Sequence, residues 1–275
     1  MTTAGSSAQP VTWERHRAWS WQSPNGFAHA RDLRSVPITL TEAVPAASCF
    51  VVVFAPGPLG PMPHALLRRG ARGSSVIVGR EGQWQASWLP PRLSAWPFDL
   101  VASAGGGYAL AVHEDSAFVV RGGAGHAIFA QGDAAPALAP QTAQMAAILK
   151  AQAEALPATA RATAALADLG LLMALDEGGS LLVIDPQAAA GLNEAGVMAL
   201  HRSDALALLH AGLVSRAHLA WMEKAEHLLT TLPLAQPNPS LDRQRVTGGS
   251  SFLAALAADR SADEAMFSFS GPTMQ

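Results

Sequence analysis

GQWQASWLPPRLSAWPF, residues 82–98, combines three tryptophans with three prolines within seventeen positions. Proline fixes its own φ angle and donates no backbone hydrogen bond, so the stretch cannot be one continuous helix or strand. The residues before it, 75–78, are typical of a strand; 79–82 predict a turn, and 83–87 a return from that turn. The stretch therefore predicts a corner between strands that leads into a hairpin.

The region from 36 to 120 has the pattern of β-structure on both sides of this corner. Residues 36–40 predict a short extended segment at a sheet edge, since Pro37 lacks a donor. A helix or turn over 41–47 follows. The continuous apolar run 49–55 indicates a strand buried on both faces, and the proline- and glycine-rich residues 56–61 predict a loop.

Two groups of glycines are interpreted as hairpin loops in the same region. Residues 105–107 separate the strand-like segments 98–102 and 108–112, which is a hairpin signature. Gly122, Gly123 and Gly125 form the second group. Neither group precedes a helical pattern, so neither is a nucleotide-binding loop.

From residue 140 the apolar period changes to that of helices. Residues 141–155 and 158–172 predict two alanine-rich helices, the second ending near Gly170, and 181–184 predict a strand. Two later helices are expected to begin with caps, one at Asp185 followed by Pro186 and one at Ser203. Spacings of three and four predict one buried helical face. Its members are Val214, Ala217, Trp221, Ala225 and Leu228.

These patterns predict an α+β fold with a β-rich N-terminal part, a mixed or antiparallel sheet, and a helical C-terminal part. Residues 1–12 are expected to be disordered, and 13–232 to form a single domain that is β-rich over 36–120 and mainly helical over 140–230. Residues 233–275 are rich in Pro, Ser, Gly and Gln and are expected to be a disordered tail. The tryptophans at 13, 19 and 21 are expected to pack back onto this domain.

Composition excludes several functional classes. The net charge of −3 disfavours a nucleic-acid surface, and no window supplies the roughly 20 apolar residues of a membrane-spanning helix. The start of the chain lacks the pattern of a signal peptide. Cys49, the only cysteine, excludes an internal disulfide and is interpreted as a small buried apolar residue. We therefore expect a cytoplasmic protein without an integral membrane segment.

Catalytic motifs with fixed spacing do not occur in the sequence, and we expect neither a cofactor nor a metal site. The one local cluster of titratable side chains is His113, Glu114 and Asp115, directly after a predicted strand. It is a candidate metal or acid–base site, and a solvated turn is the alternative interpretation. Trp84, Trp88, Trp96 and Phe98 are candidate partner-binding residues, since aromatic side chains are enriched at interfaces. The alternative is that they belong to the core.

Residues 82–100, read together, resemble the SapC family of bacterial proteins. The pattern is a Gly-x-Trp, then an aromatic-x-Pro at Trp88-Leu89-Pro90, then Trp96-Pro97-Phe98 leading into a hairpin. Further similar segments follow in order at 36–54, 112–116, 166–172 and 192–229. Ser94 and Ala95 stand where the family pattern has two basic residues, and His113 stands where it has Asp.

The resemblance implies a cytoplasmic accessory protein linked to cell-surface protein or receptor systems, and it carries over no catalytic residue. We therefore expect a non-catalytic protein that binds a protein or peptide partner. Two alternatives remain open: a metal-dependent peptide-modifying enzyme, or a subunit of one, and a secretion chaperone. Metal content would separate an enzyme from an accessory protein, and binding of unfolded cargo would indicate a chaperone.

Overall fold

Three antiparallel sheets and a set of C-terminal helices make up the fold. The structure, a computed structural model, describes residues 8–57, 59–70, 75–103, 107–131, 136–176 and 178–231. The strands are β1 (Gln9–Pro10), β2 (Trp19–Trp21), β3 (Ser35–Pro37), β4 (Val52–Gly57), β5 (Gly60–Leu66), β6 (Phe98–Ala102), β7 (Tyr108–Val112), β8 (Val119–Arg121), β9 (His126–Ala127), β10 (Leu172–Ala174) and β11 (Leu182–Ile184). Their orders are β1-β7-β6, β10-β11-β4-β5-β3 and β8-β2-β9.

The helices lie mainly in the second half of the chain. They are α1 (Trp13–His16), α2 (Ala43–Ala47), α3 (Pro91–Ser94), α4 (Pro140–Asp168), α5 (Pro186–Ala190), α6 (Glu194–Arg202), α7 (Leu206–Ser215) and α8 (His218–Thr231). Short 3-10 turns cover Ala28–Ala30 and Leu40–Glu42. This arrangement confirms the predicted α+β class. No described helix is long and apolar enough to cross a bilayer.

Strand β4 is the centre of the five-stranded sheet and is buried on both faces, as its apolar run predicts. Val52 and Phe54 pack into the cluster beneath α2 and α7, and Val51 and Val53 into the cluster beneath Met222 of α8. The strand begins at residue 52 rather than 49. The turn after α2 occupies the first residues of the run.

The predicted loop over 56–61 is wrong, because both strands of a tight hairpin extend into it. β4 continues through Gly57, which pairs with Gly60 at the start of β5. Prolines are tolerated there because Pro56 and Pro61 face each other at the end of the ladder, where hydrogen bonds are not required. Pro37 lies in the edge strand β3, as predicted.

The hairpin predicted around residues 105–107 is confirmed, with Phe98 opposite Val112 and Ala102 opposite Tyr108. Residues 104–106 lie outside the described part. The expected disorder of residues 1–12 is contradicted for Gln9 and Pro10, which form β1 and pair with β7. The hairpin offers them a free edge, which local composition does not reveal. Residues 1–7 and the tail 233–275 lie outside the described residues.

The glycines at 122, 123 and 125 do not form a hairpin loop. β8 and β9, on either side of them, both pair with β2 and not with each other. The glycine-rich link therefore passes the end of β2. Trp21 on β2 is buried against Phe98, so the early tryptophans pack onto the domain as predicted.

Residues 75–87 turn back as predicted, but they form a bridge and not two strands. Val78 and Trp84 make an isolated antiparallel bridge, and Gln85 donates to the carbonyl of Ile77 at 2.9 Å. Gly82 adopts a φ of 87°, and a side chain there would meet the amide of Ala28 at 2.9 Å. The corner is thus held against the 3-10 turn at 28–30.

The two helices predicted over 141–172 are a single helix, α4, that contains Pro157. Pro157 is exposed, so the one intrahelical bond it removes lies on the solvent side. Buried residues before and after it anchor both halves of the helix. The stop at Gly170 is confirmed: its φ is 65°, and Leu171 donates to Leu166. Strand β10 follows and begins at Leu172, the last residue of the predicted second helix.

The cap at Asp185 is confirmed, since its carboxylate accepts hydrogen bonds from the amides of Gln187 and Ala188. The cap at Ser203 is wrong: Ser203 ends α6, and α7 begins at Leu206. The buried face predicted over 214–228 is also wrong. Helix α7 ends at Ser215 and α8 begins at His218, so the residues of the predicted face do not lie on one helix. Its large members are exposed, namely Val214, Trp221 and Leu228.

Gly212 allows α7 to approach β11, and we expect the Gly212→Ala variant to be destabilised by about 2 kcal/mol. An added Cβ would overlap Cγ1 of Ile184, a fully buried residue on β11. Gly191→Ala is the matched control, since its Cβ would meet only carbonyl oxygens at 3.6 Å. Urea unfolding of both variants measures the difference. If the two variants are equally stable, then α7 shifts away from β11 without loss of stability.

Candidate functional site

Trp96 and His113 lie side by side because the β6–β7 hairpin closes next to them. Phe98 pairs with Val112, so residues just before β6 meet residues just after β7. The amide of His113 donates to the carbonyl of Pro97 at 3.0 Å, and the Trp96–Pro97 peptide bond is cis. The structure thus brings together one aromatic and one polar candidate from the sequence.

The Trp96 ring is stacked between two histidines. Its centroid lies 5.0 Å from that of His29, with the planes 11° apart, and 4.4 Å from that of His113, with the planes 25° apart. Both ring nitrogens of His29 and the indole nitrogen of Trp96 are buried and make no hydrogen bond to any residue that the structure describes. Burial lowers the pKa of His29 to about 4, so its ring is neutral at pH 7.

Asp99 and Arg92 complete this group, which we call the Trp96 cluster (His29, Arg92, Trp96, Asp99 and His113). Asp99 forms an ion pair with Arg92 and lies 3.7 Å from Nε2 of His113, a separation longer than a hydrogen bond. Burial of Asp99 acts to raise its pKa, but the neighbouring His113 and Arg92 outweigh it and hold the pKa below its ordinary value.

Glu114 and Asp115 point away from His113. The Glu114 carboxylate accepts a hydrogen bond from Arg15 at 2.6 Å and lies 3.2 Å from Nε2 of the buried His16. The Arg15 guanidinium holds the pKa of Glu114 below its ordinary value. Asp115 is exposed. The three residues therefore occupy three different environments, and Glu114 fastens α1 to the end of β7.

Trp84 and Trp88 pack largely on their own chain. The indole of Trp84 donates to the carbonyl of Trp88 at 2.9 Å, and both rings lie about 6 Å from Phe50, at 6.0 and 6.1 Å. Both tryptophans remain partly exposed. Phe98 is 1% exposed and lies in the core against Trp21, so it presents no surface to a partner.

Cys49 is not the buried apolar residue that the sequence predicted. It lies in the turn after α2 and is partly exposed. Its sulfur lies 3.2 Å from the hydroxyl of Ser48 and 3.1 Å from that of Ser87. Partial burial acts to raise the pKa of the thiol, but these hydrogen bonds outweigh it and lower the pKa. The turn places Cys49 outside β4, which explains the difference.

A charged open groove of about 890 Å³ is a second region that the sequence did not reveal. Arg34 pairs with Asp176 at 2.5 Å, and Arg69 pairs with Glu223 at 2.8 Å. The carboxylate of Glu226 accepts from the amide of Arg69 at 2.6 Å. The described cations on this groove are therefore already matched by carboxylates from distant parts of the chain.

The Trp96 cluster is better suited to holding the hairpin than to chemistry. Its unpaired nitrogens are enclosed, and proton transfer requires a group within reach of a substrate. Among the described residues, no three His, Cys, Asp or Glu side chains are placed to hold a metal ion. Sequence reasoning missed His29, Arg92 and Asp99. For Asp99 a signal was available in the sequence, because it is a charged residue inside a predicted strand.

The comparisons with known proteins point to one family. Searches of curated proteins and of solved structures found no match. The family model named SapC matches residues 11–222, which begin just after β1, end within α8 and include the whole Trp96 cluster. This match covers more than half of the chain and contains every segment of the resemblance up to residue 222. The chain belongs to the SapC family.

Proposed function

We propose that this SapC-family protein is a non-catalytic accessory protein that binds a protein partner through its C-terminal helices. The exposure of large apolar side chains on α6, α7 and α8 carries the proposal. Nine large apolar residues are exposed in the described part of the chain, and five of them lie on these three helices. The five are Val197, Met198, Val214, Trp221 and Leu228.

Large apolar side chains that face solvent are candidates for a protein interface, and tryptophan contributes more to such interfaces than most residues. Trp221 is 41% exposed, and Val214 is 53% exposed. Trp84, Trp88 and Trp96 are further candidate contacts with the partner, because each is partly exposed.

The proposal places the protein in the cytoplasm, linked to cell-surface protein or receptor systems. The family resemblance and the single cysteine support that location.

The test is co-purification with the products of the genes that flank this one. We expect one of them to bind, and Trp221→Ser with Val214→Ser to weaken binding about ten-fold or more. Tyr108→Ser is the control, because Tyr108 is equally exposed but lies on β7. Trp88→Ala tests the contribution of the corner residues. Binding that is unchanged in the Trp221 and Val214 double variant would contradict the proposed surface.

The same preparation separates the two alternatives. An accessory protein binds its folded partner, whereas a secretion chaperone binds the partner better when it is unfolded. A metal-dependent enzyme would contain stoichiometric iron or zinc and would change the mass of a peptide substrate. Either result would contradict the proposed accessory function.

A further inference from the structure

We propose that the exposed surface around Trp19 and Arg121 binds an acidic peptide segment. This inference goes beyond the proposed function and uses different elements, the strands β2 and β8 and the links beside them. We call the surface the Arg121 patch. It consists of Arg17, Trp19, Arg121 and the backbone of residues 122–125.

Arg121 is held in place by Trp19. The two residues are direct partners in the β2–β8 ladder, and the guanidinium carbon of Arg121 lies 4.8 Å from the centre of the Trp19 ring. His16 packs edge-on against the same indole at 4.9 Å, so the ring is itself supported. Stacking uses the face of a guanidinium and leaves its N–H groups free to bind a carboxylate.

Two of the arginines here have no acidic partner among the described residues. Arg17 and Arg121 are exposed, and neither makes an ion pair or a side-chain hydrogen bond within the described ranges. Glu114 is already engaged by Arg15 and His16. Glu14 lies on α1 three residues before Arg17 but is not paired with it. The patch therefore keeps two unmatched positive charges on a chain whose net charge is −3.

The backbone after Arg121 adds further donors. Residues 122–125 are exposed, and none of their amides donates a hydrogen bond in the described structure. The carbonyls of Gly123 and Ala124 accept from the side chains of Ser20 and Gln22, which holds the link against β2. Gly122 and Gly123 have φ angles of 71° and 143°, which only glycine adopts readily. Fixed amides beside a guanidinium are donors suited to carboxylate oxygens.

The size of the patch favours a peptide over a nucleic acid. Nucleic-acid surfaces carry an extended basic stripe that neutralises many phosphates, and this patch has two unmatched charges. Arg121 stacks on the Trp19 indole, and Arg17 precedes that indole by two residues in the chain, so the pair fits a short segment that contains adjacent acidic residues. The ligand class that we assign is therefore an acidic peptide.

Fluorescence anisotropy with a labelled hexaglutamate peptide tests the assignment at low and at physiological salt. We expect binding that weakens with salt, and an approximately ten-fold loss of affinity in the double variant Arg17→Gln, Arg121→Gln. Arg161→Gln with Arg202→Gln is the matched control. Both control arginines are exposed on helices and have no described ion pair, so this variant changes the net charge equally. We expect less than a two-fold change in it.

A second measurement locates the peptide. The indole N–H signal of Trp19, assigned with Trp19→Phe, should shift on titration with hexaglutamate in the wild-type protein. The inference is overturned if hexaglutamate does not bind, or if the control double variant loses as much affinity. It is also overturned if single-stranded DNA or anionic vesicles bind at these arginines more tightly than the peptide. None of these readouts depends on the natural partner, so failure here and failure of the proposed function are distinguishable.

Discussion

Lowering the pH from 6.5 to 5.0 is expected to reduce the unfolding free energy by about 3 kcal/mol, because two partly buried histidines stay neutral in the fold. Burial lowers the pKa of His29 to about 4 and that of His64 to about 4. In the unfolded chain both imidazoles have a pKa of 6.5. His64 lies on β5 with Nδ1 3.0 Å from the hydroxyl of Ser35.

The direction follows from proton binding. Below pH 6.5 the unfolded chain takes up a proton at each histidine, and the folded protein does so only near pH 4. Stability is therefore complete above pH 6.5 and is lost as the pH falls toward 4. His64 accounts for about 2 kcal/mol at pH 5.0. His29 accounts for about 1 kcal/mol, since partial contact with solvent reduces its effect.

Carboxylates titrate in a lower pH range, so they contribute little to the change in stability between pH 6.5 and 5.0. The folded-state pKa values of Asp99, Glu114 and Asp176 are lowered, so the stability they contribute is complete above their ordinary values of 3.8 to 4.5. It is lost only as the pH falls further. Between pH 6.5 and 5.0 the histidines dominate the change.

Urea unfolding at several pH values checks this with two variants. His29→Phe keeps a ring in the stack and removes two unpaired nitrogens, so it should reduce the pH dependence without loss of stability at pH 7. His64→Gln keeps a partner for Ser35 and should reduce the dependence more. The control is His201→Gln, which removes an exposed imidazole from α6. Wild-type stability that stays constant between pH 6.5 and 5.0 would contradict the prediction.

Trp21→Ala is expected to lower the unfolding free energy by about 4 kcal/mol. Trp21 is 2% exposed and meets Phe98 edge-to-face at 5.2 Å. Its indole donates to the hydroxyl of Thr142 on α4 at 2.8 Å. The variant would leave a large cavity between β2, β6 and α4 and would remove the hydrogen bond.

Trp221→Ala is the matched control, since it removes the same side chain from an exposed position on α8. We expect it to change stability by less than about 1 kcal/mol. Calorimetry or urea unfolding compares the two variants. If Trp221→Ala is as destabilising as Trp21→Ala, then Trp221 belongs to the folded core. The α8 surface would then lose its role in the proposed function.

Two of the five residues of the Trp96 cluster could be found from the sequence. Trp96 and His113 were singled out because an aromatic residue near proline and a titratable cluster are local patterns. His29 was missed because it becomes a neighbour of Trp96 only when the corner folds against the 3-10 turn at residues 28–30. Arg92 and Asp99 were missed because their pairing depends on how the chain turns between α3 and β6. The grouping of His113 with Glu114 and Asp115 also failed. Successive residues in a turn point in different directions, whatever their chemistry.

The sequence by itself determined the α+β class, the β6–β7 hairpin, the buried central strand β4 and the cap at Asp185. Each depends on residues close together in the chain: apolar period, glycine position, or a side chain beside its own amides. Only the tertiary structure decided that β1 adds to the hairpin, that α4 runs through Pro157, and that the apolar row at 214–228 is exposed. Those outcomes depend on which surfaces meet, because packing between distant segments outweighs the local preference of a few residues.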